Sequence, residues 1–215
     1  MIRGVIFDLD GTLIDSMGIW NTIDRTFLKE CGIAEPPEDI SDRVRKMSVD
    51  ESAQYFISQF GLNFTKEYVI NRIEELVRIQ YEKYIPLKPD VIELLDYLDA
   101  RSVPYGVATA TYKRLAAAVL KRHEIFGRFR FILTDREFPA GKNAPDIFLG
   151  GAELLGLEPE EVLVAEDSLH CVETAKAAGF FTVGVYDSVS EGDRSAIEEK
   201  SDAYIMRLGE IRRFI

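Results

Sequence analysis

Residues 2–11 read IRGVIFDLDG, and the pattern of these residues indicates the start of a parallel sheet. Residues 2–7 are rich in β-branched and aromatic side chains, which predicts a buried parallel strand that ends in a turn. Because side chains alternate along an extended chain, Asp8 and Asp10 are expected on one side and Leu9 on the other. Taken alone, the pair is as compatible with a polar turn whose aspartates cap backbone amides as with a functional site.

Four later runs also predict short strands, because each is rich in Val, Ile, Phe or Tyr. They cover residues 104–109, 129–134, 162–165 and 181–186. Helical stretches lie between them at residues 113–122, 146–155 and 171–178, the last closed by Gly179 as a C-cap. Strands that alternate with helices of this length predict a doubly wound α/β sheet.

The segment from residue 16 to about residue 84 interrupts this alternation. It shows apolar positions at helical spacing, such as Ile19, Ile23 and Phe27, and no strand signal. We therefore predict an α/β core domain of residues 1–15 and 86–215 and a small all-helical domain of residues 16–85.

Charge and length exclude several classes of protein. The 215 residues carry a formal net charge of −11, which argues against binding to nucleic acid or to anionic lipid. A small anionic substrate remains compatible, since a metal ion and local donors reverse the potential inside a cleft. The first apolar run is too short for a signal peptide or a membrane span, so we expect a cytoplasmic protein without a membrane or nucleic-acid partner.

The later strand ends supply the groups that the first acidic pair needs. Glu166 and Asp167 form a second acidic pair after the strand at 162–165. Like charges this close raise at least one pKa unless a cation neutralises them, and Mg²⁺ suits oxygen ligands better than a softer ion does. The Thr109 hydroxyl and the Ala110 amide are candidate donors to a phosphoryl oxygen. Lys142 offers a counter-charge to both the phosphate and an aspartate.

Four segments, in this order, resemble the motifs of the haloacid dehalogenase superfamily: DLDGTLIDS, VATAT, GKNAPDIF and EDSLHCVETAKAAG. The resemblance implies a Rossmann-like parallel sheet of strand order 3-2-1-4-5. The helical insert resembles, in layout and position, the mobile cap of β-phosphoglucomutase- and phosphoglycolate phosphatase-like members.

Carried over by position, the family implies a role for each motif residue. Asp8 would be the nucleophile and a metal ligand, and Asp10 the general acid/base whose backbone carbonyl also binds Mg²⁺. Thr109, with the Ala110 amide, and Lys142 would bind the phosphoryl group. The metal shell would be completed by Asp167, with Glu166 in it or next to it.

We expect a Mg²⁺-dependent phosphatase that acts on a small phosphorylated metabolite through an aspartyl-phosphate, as a monomer or a weak homo-oligomer. The main alternative is a sugar phosphomutase like β-phosphoglucomutase. Mutase-type relatives carry a His and an Arg where Trp20 and Val49 stand here, which favours the phosphatase. A catalytically silent relative that binds a phosphorylated ligand or a partner is a third possibility.

Two parts of the helical domain are candidates for substrate contact. Trp20 is either a pocket wall or the aromatic anchor of its helix, and the sequence favours neither. Arg45 and Lys46 would bind a distal anionic group, although a solvated interhelical turn is the more common use of such residues.

Overall fold

The computed structural model describes residues 1–44, 47 and 49–215, and the side chains of these except at positions 17, 20, 21, 42 and 49. The chain divides into two compact units: Met1–Asp15 with Ile85–Ile215, and Ser16–Tyr84. The roles of the two units as core and cap domains stay a prediction. No helix in the described part of the chain is both long and apolar enough to cross a membrane.

The first unit contains a parallel sheet of six strands in the order β3-β2-β1-β4-β5-β6. The strands are β1 (Gly4–Phe7), β2 (Tyr105–Thr109), β3 (Ile132–Thr134), β4 (Val162–Glu166), β5 (Phe181–Val185) and β6 (Ala203–Ile205). The predicted doubly wound fold and the order of its first five strands are confirmed, and β6 extends the sheet at one edge. The strand predicted at residues 129–134 is shorter, since only its last three residues belong to β3.

Nine helices were assigned within the described residues. In the second unit they are α1 (Met17–Glu30), α2 (Ile40–Val44), α3 (Val49–Phe60) and α4 (Lys66–Lys83); in the first unit, α5 (Val91–Ala100), α6 (Lys113–Arg122), α7 (Asp146–Leu155), α8 (Leu169–Ala177) and α9 (Arg194–Lys200). The helix predicted at 171–178 begins two residues earlier, because Ser168 takes the N-cap position of α8.

The second unit has its own apolar core. Phe27 and Phe56 are fully buried, and their ring centroids lie 5.7 Å apart between α1 and α3. Arg72 on α4 donates hydrogen bonds to both carboxylate oxygens of Glu30 on α1, at 2.8 and 2.7 Å. Apolar packing and this bidentate ion pair connect three of the four helices.

Packing on one face of the sheet places the strand ends of the first unit. The helices α7 and α8 cover the buried side chains of β1, β2 and β4, including Ile6 and Val164. Phe148 on α7 lies against Phe180, with ring centroids 6.2 Å apart. Since β1 pairs with β2 on one side and β4 on the other, the segments that follow these three strands emerge at the same edge of the sheet.

A buried ion pair ties the strand-end region to the chain where it returns at residue 85. The Lys88 amide donates to the Leu13 carbonyl at 3.0 Å. The Lys88 ammonium donates to the Tyr186 carbonyl at 2.8 Å and to the Asp187 carboxylate at 2.7 Å. The Asp187 side chain is only 3% exposed, so the pair is largely shielded from water.

We predict that Lys88→Met lowers the free energy of unfolding by about 3 kcal/mol, because it leaves the Asp187 carboxylate buried without its cation. The matched control is Lys113→Met, which removes the exposed ion pair to Glu137 and should cost less than about 1 kcal/mol. Urea denaturation of the three proteins measures the difference. Equal losses for both variants would contradict a structural role of the buried pair.

Candidate active site

Three buried carboxylates meet where β1 and β4 end. Asp8 directly follows β1, Glu166 ends β4 and Asp167 follows it. The Asp8 amide donates to the Ala165 carbonyl at 2.9 Å, which continues the pairing of the two strands into the site. Each of the three carboxylates offers one oxygen that lies within 4.8 Å of the other two. The two acidic pairs of the sequence thus supply one cluster.

Lys142 enters this cluster from the turn before α7. Its ammonium donates to Asp8 Oδ1 and, at 2.5 Å, to Glu166 Oε1. The turn depends on Gly141, whose φ of 53° is in the left-handed region and whose place leaves no room for a Cβ beside the Asp135 carboxylate. Burial disfavours the charged amine, but the Asp8 and Glu166 carboxylates outweigh this effect and raise the pKa of Lys142.

The cluster carries more negative than positive charge. Burial, opposed by Lys142 and reinforced by the neighbouring carboxylates, raises the pKa of Asp8 well above its usual value. Burial, together with Glu166 and Asp187, raises the pKa of Asp167 to about 7. If all three carboxylates were ionised, the single ammonium of Lys142 would leave two negative charges uncompensated. This donor set of three oxygens fits a divalent cation held by Asp8, Glu166 and Asp167.

Gly11 leaves room for the Asp167 carboxylate beside the first acidic turn. Its φ is 85°, and a Cβ there would lie 2.5 Å from the Asp167 Oδ2 atom. Any side chain at this position would therefore displace the carboxylate as well as strain the backbone. The turn is closed by the Gly11 amide, which donates to the Ile14 carbonyl at 2.9 Å.

The loop after β2 contacts the first acidic turn through a residue that the sequence analysis did not single out. Thr111 Oγ1 donates to Asp10 Oδ2 at 2.7 Å, and the Thr111 amide donates to Thr109 Oγ1 at 3.0 Å. Thr109 is fully buried, whereas Ala110 is exposed. A second hydroxyl two residues after Thr109 in VATAT was the available signal.

Asp167 is supported by the segment after β5, which also lay outside the predicted motifs. Ser190 Oγ donates to Asp167 Oδ2 at 3.3 Å. The Asp187 Oδ1 atom accepts from the Val189 amide at 2.9 Å, which fixes the turn that carries Ser190. The buried Lys88–Asp187 pair therefore holds the backbone that supports a site carboxylate.

The predicted site residues fall into three groups. The structure brings Asp8, Lys142, Glu166 and Asp167 together. It places Asp10 in the adjoining turn, linked to the loop that contains Thr109 and Ala110. Arg45, Lys46 and the side chain of Trp20 lie outside the described residues.

Cys171 lies beside the cluster without the character of a reactive thiol. It is buried, and burial together with Glu166 raises the pKa of the thiol well above its usual range. Its Sγ lies 3.1 Å from His170 Nε2. The thiol is therefore a packing group on the first turn of α8.

An open parallel sheet that gathers a buried lysine and three carboxylates at its switch point defines an α/β protein with an acidic, metal-type centre. Comparison with known proteins identifies the family of this chain. The model of the haloacid dehalogenase-like hydrolases matches residues 5–185, and the chain belongs to this family.

The relatives include a phosphatase and a mutase. A phosphorylated carbohydrates phosphatase of Thermotoga maritima is 28% identical over 193 residues, which cover 89% of this chain and 88% of the relative. A β-phosphoglucomutase of Bacillus subtilis is 30% identical over 196 residues, covering 86% and 83%. A crystal structure from Thermotoga maritima, provisionally described as a β-phosphoglucomutase, superposes with a TM-score of 0.87 at 27% identity, covering 99% and 98% of the two chains.

The raised pKa of Asp167 predicts how the metal-free protein responds to pH. A carboxyl with a pKa of about 7 in the folded state and about 4 in the unfolded state stays protonated up to a higher pH when the protein is folded. Its contribution to stability is therefore present below about pH 4 and is lost as the pH rises to about 7.

We expect the free energy of unfolding to fall less for Asp167→Asn than for the wild type as the pH rises from about 4.5 to about 7.5, with a chelator present to remove metal ions. The difference between these two pKa values corresponds to a loss of at most about 4 kcal/mol in the free energy of unfolding. Chemical denaturation at a series of pH values measures the difference between the two proteins. A difference that stays constant across this pH window would contradict the buried, proton-binding state of Asp167.

Proposed function

We propose that the chain is a Mg²⁺-dependent phosphatase that hydrolyses a small phosphorylated metabolite through an aspartyl-phosphate on Asp8. The observation that carries the proposal is the Asp8 carboxylate itself, buried at a strand end, bonded to Lys142 and adjacent to Glu166 and Asp167. Membership of the hydrolase family and the similarity to a sugar-phosphate phosphatase support it.

Asp8 has the surroundings that an anionic nucleophile needs. Lys142 orients one of its oxygens and supplies a positive charge that also favours the approach of a phosphate dianion. The Ala110 amide and the Thr109 hydroxyl are our candidates for holding the phosphoryl oxygens. The Thr109 oxygen accepts a hydrogen bond from the Thr111 amide, so its own proton points elsewhere.

Asp8, Glu166 and Asp167 would hold the Mg²⁺, with the Asp10 backbone carbonyl as a further ligand. When bound, the ion neutralises the excess negative charge of the cluster and withdraws charge from the phosphoryl oxygens. The all-oxygen donor set suits a hard cation and so supports Mg²⁺.

Asp10 serves as the general acid/base of the proposed reaction. It gives a proton to the leaving oxygen while Asp8 attacks phosphorus, and it takes a proton from the water that then hydrolyses the aspartyl-phosphate. An acid at this place favours a leaving group that needs protonation, namely an alkoxide, over a halide.

Several expectations accompany this proposal. The substrate is a small phosphorylated metabolite, with phosphorylated sugars or sugar alcohols as the first group to test, because the phosphatase relative acts on phosphorylated carbohydrates. The cytoplasmic location and the monomeric or weakly oligomeric state stay predictions. So do the substrate contacts of Trp20, Arg45 and Lys46.

The phosphomutase is the second candidate, and the relatives include one. The sequence favours hydrolysis, since Trp20 and Val49 stand where mutase-type relatives carry His and Arg. Incubation with β-glucose 1-phosphate and a catalytic amount of β-glucose 1,6-bisphosphate separates the two. Free phosphate as the main product supports the phosphatase, whereas isomerised sugar phosphate would overturn it.

We predict that the wild type releases phosphate from p-nitrophenyl phosphate only with Mg²⁺ and that Asp8→Asn lowers kcat at least about 1000-fold, because the amide is not a nucleophile. The variant should be no less stable than the wild type, since burial opposes the charged Asp8. The matched control is Asp193→Asn, the same change at an exposed aspartate, which should leave kcat unchanged.

Turnover by Asp8→Asn at the wild-type rate would overturn the assignment of the nucleophile. A wild type that shows no turnover, but binds phosphate esters as tightly as Asp8→Asn, would instead support a silent binding protein.

A further inference from the structure

The hydrogen bond between Thr111 and Asp10 joins two loops that are 101 residues apart in sequence. Thr111 Oγ1 donates to Asp10 Oδ2 at 2.7 Å, a short distance typical of a hydroxyl bonded to a carboxylate. Asp10 lies in the turn after β1, and Thr111 lies in the loop between β2 and α6. Both residues are half-buried, so the bond is partly protected from competing water.

The sheet holds Thr111 in place. Its amide donates to Thr109 Oγ1 at 3.0 Å, and Thr109 is a fully buried residue of β2 that pairs with Thr134 of β3. The side chain of Thr111 is β-branched and so has few χ1 choices. The Thr111 hydroxyl is therefore held in a fixed position relative to β2.

The role proposed for Asp10 requires a fixed orientation of its carboxyl group. A general acid/base must present one oxygen to the leaving group and then to the attacking water within hydrogen-bond reach. A carboxylate that rotates about its Cβ–Cγ bond would spend part of its time in unproductive orientations.

We propose that Thr111 is a positioning residue that fixes the Asp10 carboxyl by engaging Oδ2, so that Oδ1 carries the transferred proton. The inference rests on the proposed phosphatase function. In the first step the Asp8–phosphorus bond forms, the ester P–O bond breaks, and the Oδ1 proton goes to the leaving oxygen. In the second, water attacks phosphorus, its proton goes to Oδ1, and the Asp8–phosphorus bond breaks.

The Thr111 hydroxyl serves in both steps. It donates to a carboxylate oxygen when Asp10 is ionised and to a carbonyl oxygen when Asp10 is protonated. The bond therefore persists through the proton cycle, and its loss should affect proton transfer rather than substrate binding.

Two variants separate positioning from packing. Thr111→Val keeps the β-branched shape and removes the hydroxyl, and Thr111→Ser keeps the hydroxyl and removes the methyl group. Thr174→Val is the matched control, because Thr174 donates only to a backbone carbonyl of its own helix, that of His170, at 2.8 Å. Thermal unfolding verifies that all three variants fold.

The experiment compares two substrates of similar shape in the presence of Mg²⁺. p-Nitrophenyl phosphate has a weakly basic leaving group that departs with little help from an acid, whereas the leaving group of phenyl phosphate needs protonation. Rapid-quench measurements at several substrate concentrations give the rate of phosphoryl-enzyme formation and the substrate dissociation constant for each ester.

For Thr111→Val we expect phosphoryl-enzyme formation from phenyl phosphate to slow about 10- to 100-fold, a part of the usual contribution of a general acid. With p-nitrophenyl phosphate this step should slow less than about 3-fold, while hydrolysis of the phosphoryl-enzyme slows and the burst becomes larger. The substrate dissociation constant should change little, Thr111→Ser should restore most of the rate, and Thr174→Val should match the wild type.

Equal slowing with both esters, or equal losses in Thr111→Val and Thr111→Ser, would overturn the positioning role while the phosphatase function stands. Absence of wild-type turnover with both esters would overturn the proposed function and this inference with it.

Discussion

The ammonium of Lys142, buried between the carboxylates of Asp8 and Glu166, is the interaction on which the rest of the site depends. Taking a cation and two anions out of water costs several kcal/mol per ion unless they satisfy one another. The three residues come from the ends of two adjacent strands and from the turn before α7, so the pairing requires the sheet order and the helix packing to be correct. The Lys142 interaction therefore joins the fold to the chemistry.

The site contains more carboxylates than cationic side chains. One lysine does not neutralise three carboxylates, and the raised pKa values of Asp8 and Asp167 express the remaining repulsion and burial. A divalent cation held by the three carboxylates would relieve both, so metal binding and ionisation of Asp8 would be linked. The absence of a side chain at Gly11 leaves room for the Asp167 carboxylate, and the chain after β5 supports that carboxylate through Ser190.

Much of this was predictable from the sequence, for identifiable reasons. Buried parallel strands are continuous apolar runs, and their order followed from the resemblance of four motifs to one family. By contrast, β6 has three residues and a weak apolar signal, so it was missed. The cluster residues sit directly at strand ends, whereas the bond from Thr111 to Asp10 and the Lys88–Asp187 pair depend on contacts between distant loops. Such contacts require a structure, because the two residues of each pair are 101 and 99 positions apart and no local sequence pattern links them.

In the proposed reaction, Asp8 receives the phosphoryl group. The most direct measurement is to quench the enzyme in acid during turnover of p-nitrophenyl phosphate with Mg²⁺, reduce it with borohydride and map the product by mass spectrometry. An aspartyl-phosphate at position 8 is reduced to homoserine, and we predict homoserine at that position and nowhere else, only in samples that received substrate. Turnover without any phosphoryl-enzyme, or modification at another residue, would show that Asp8 is not the phosphoryl acceptor.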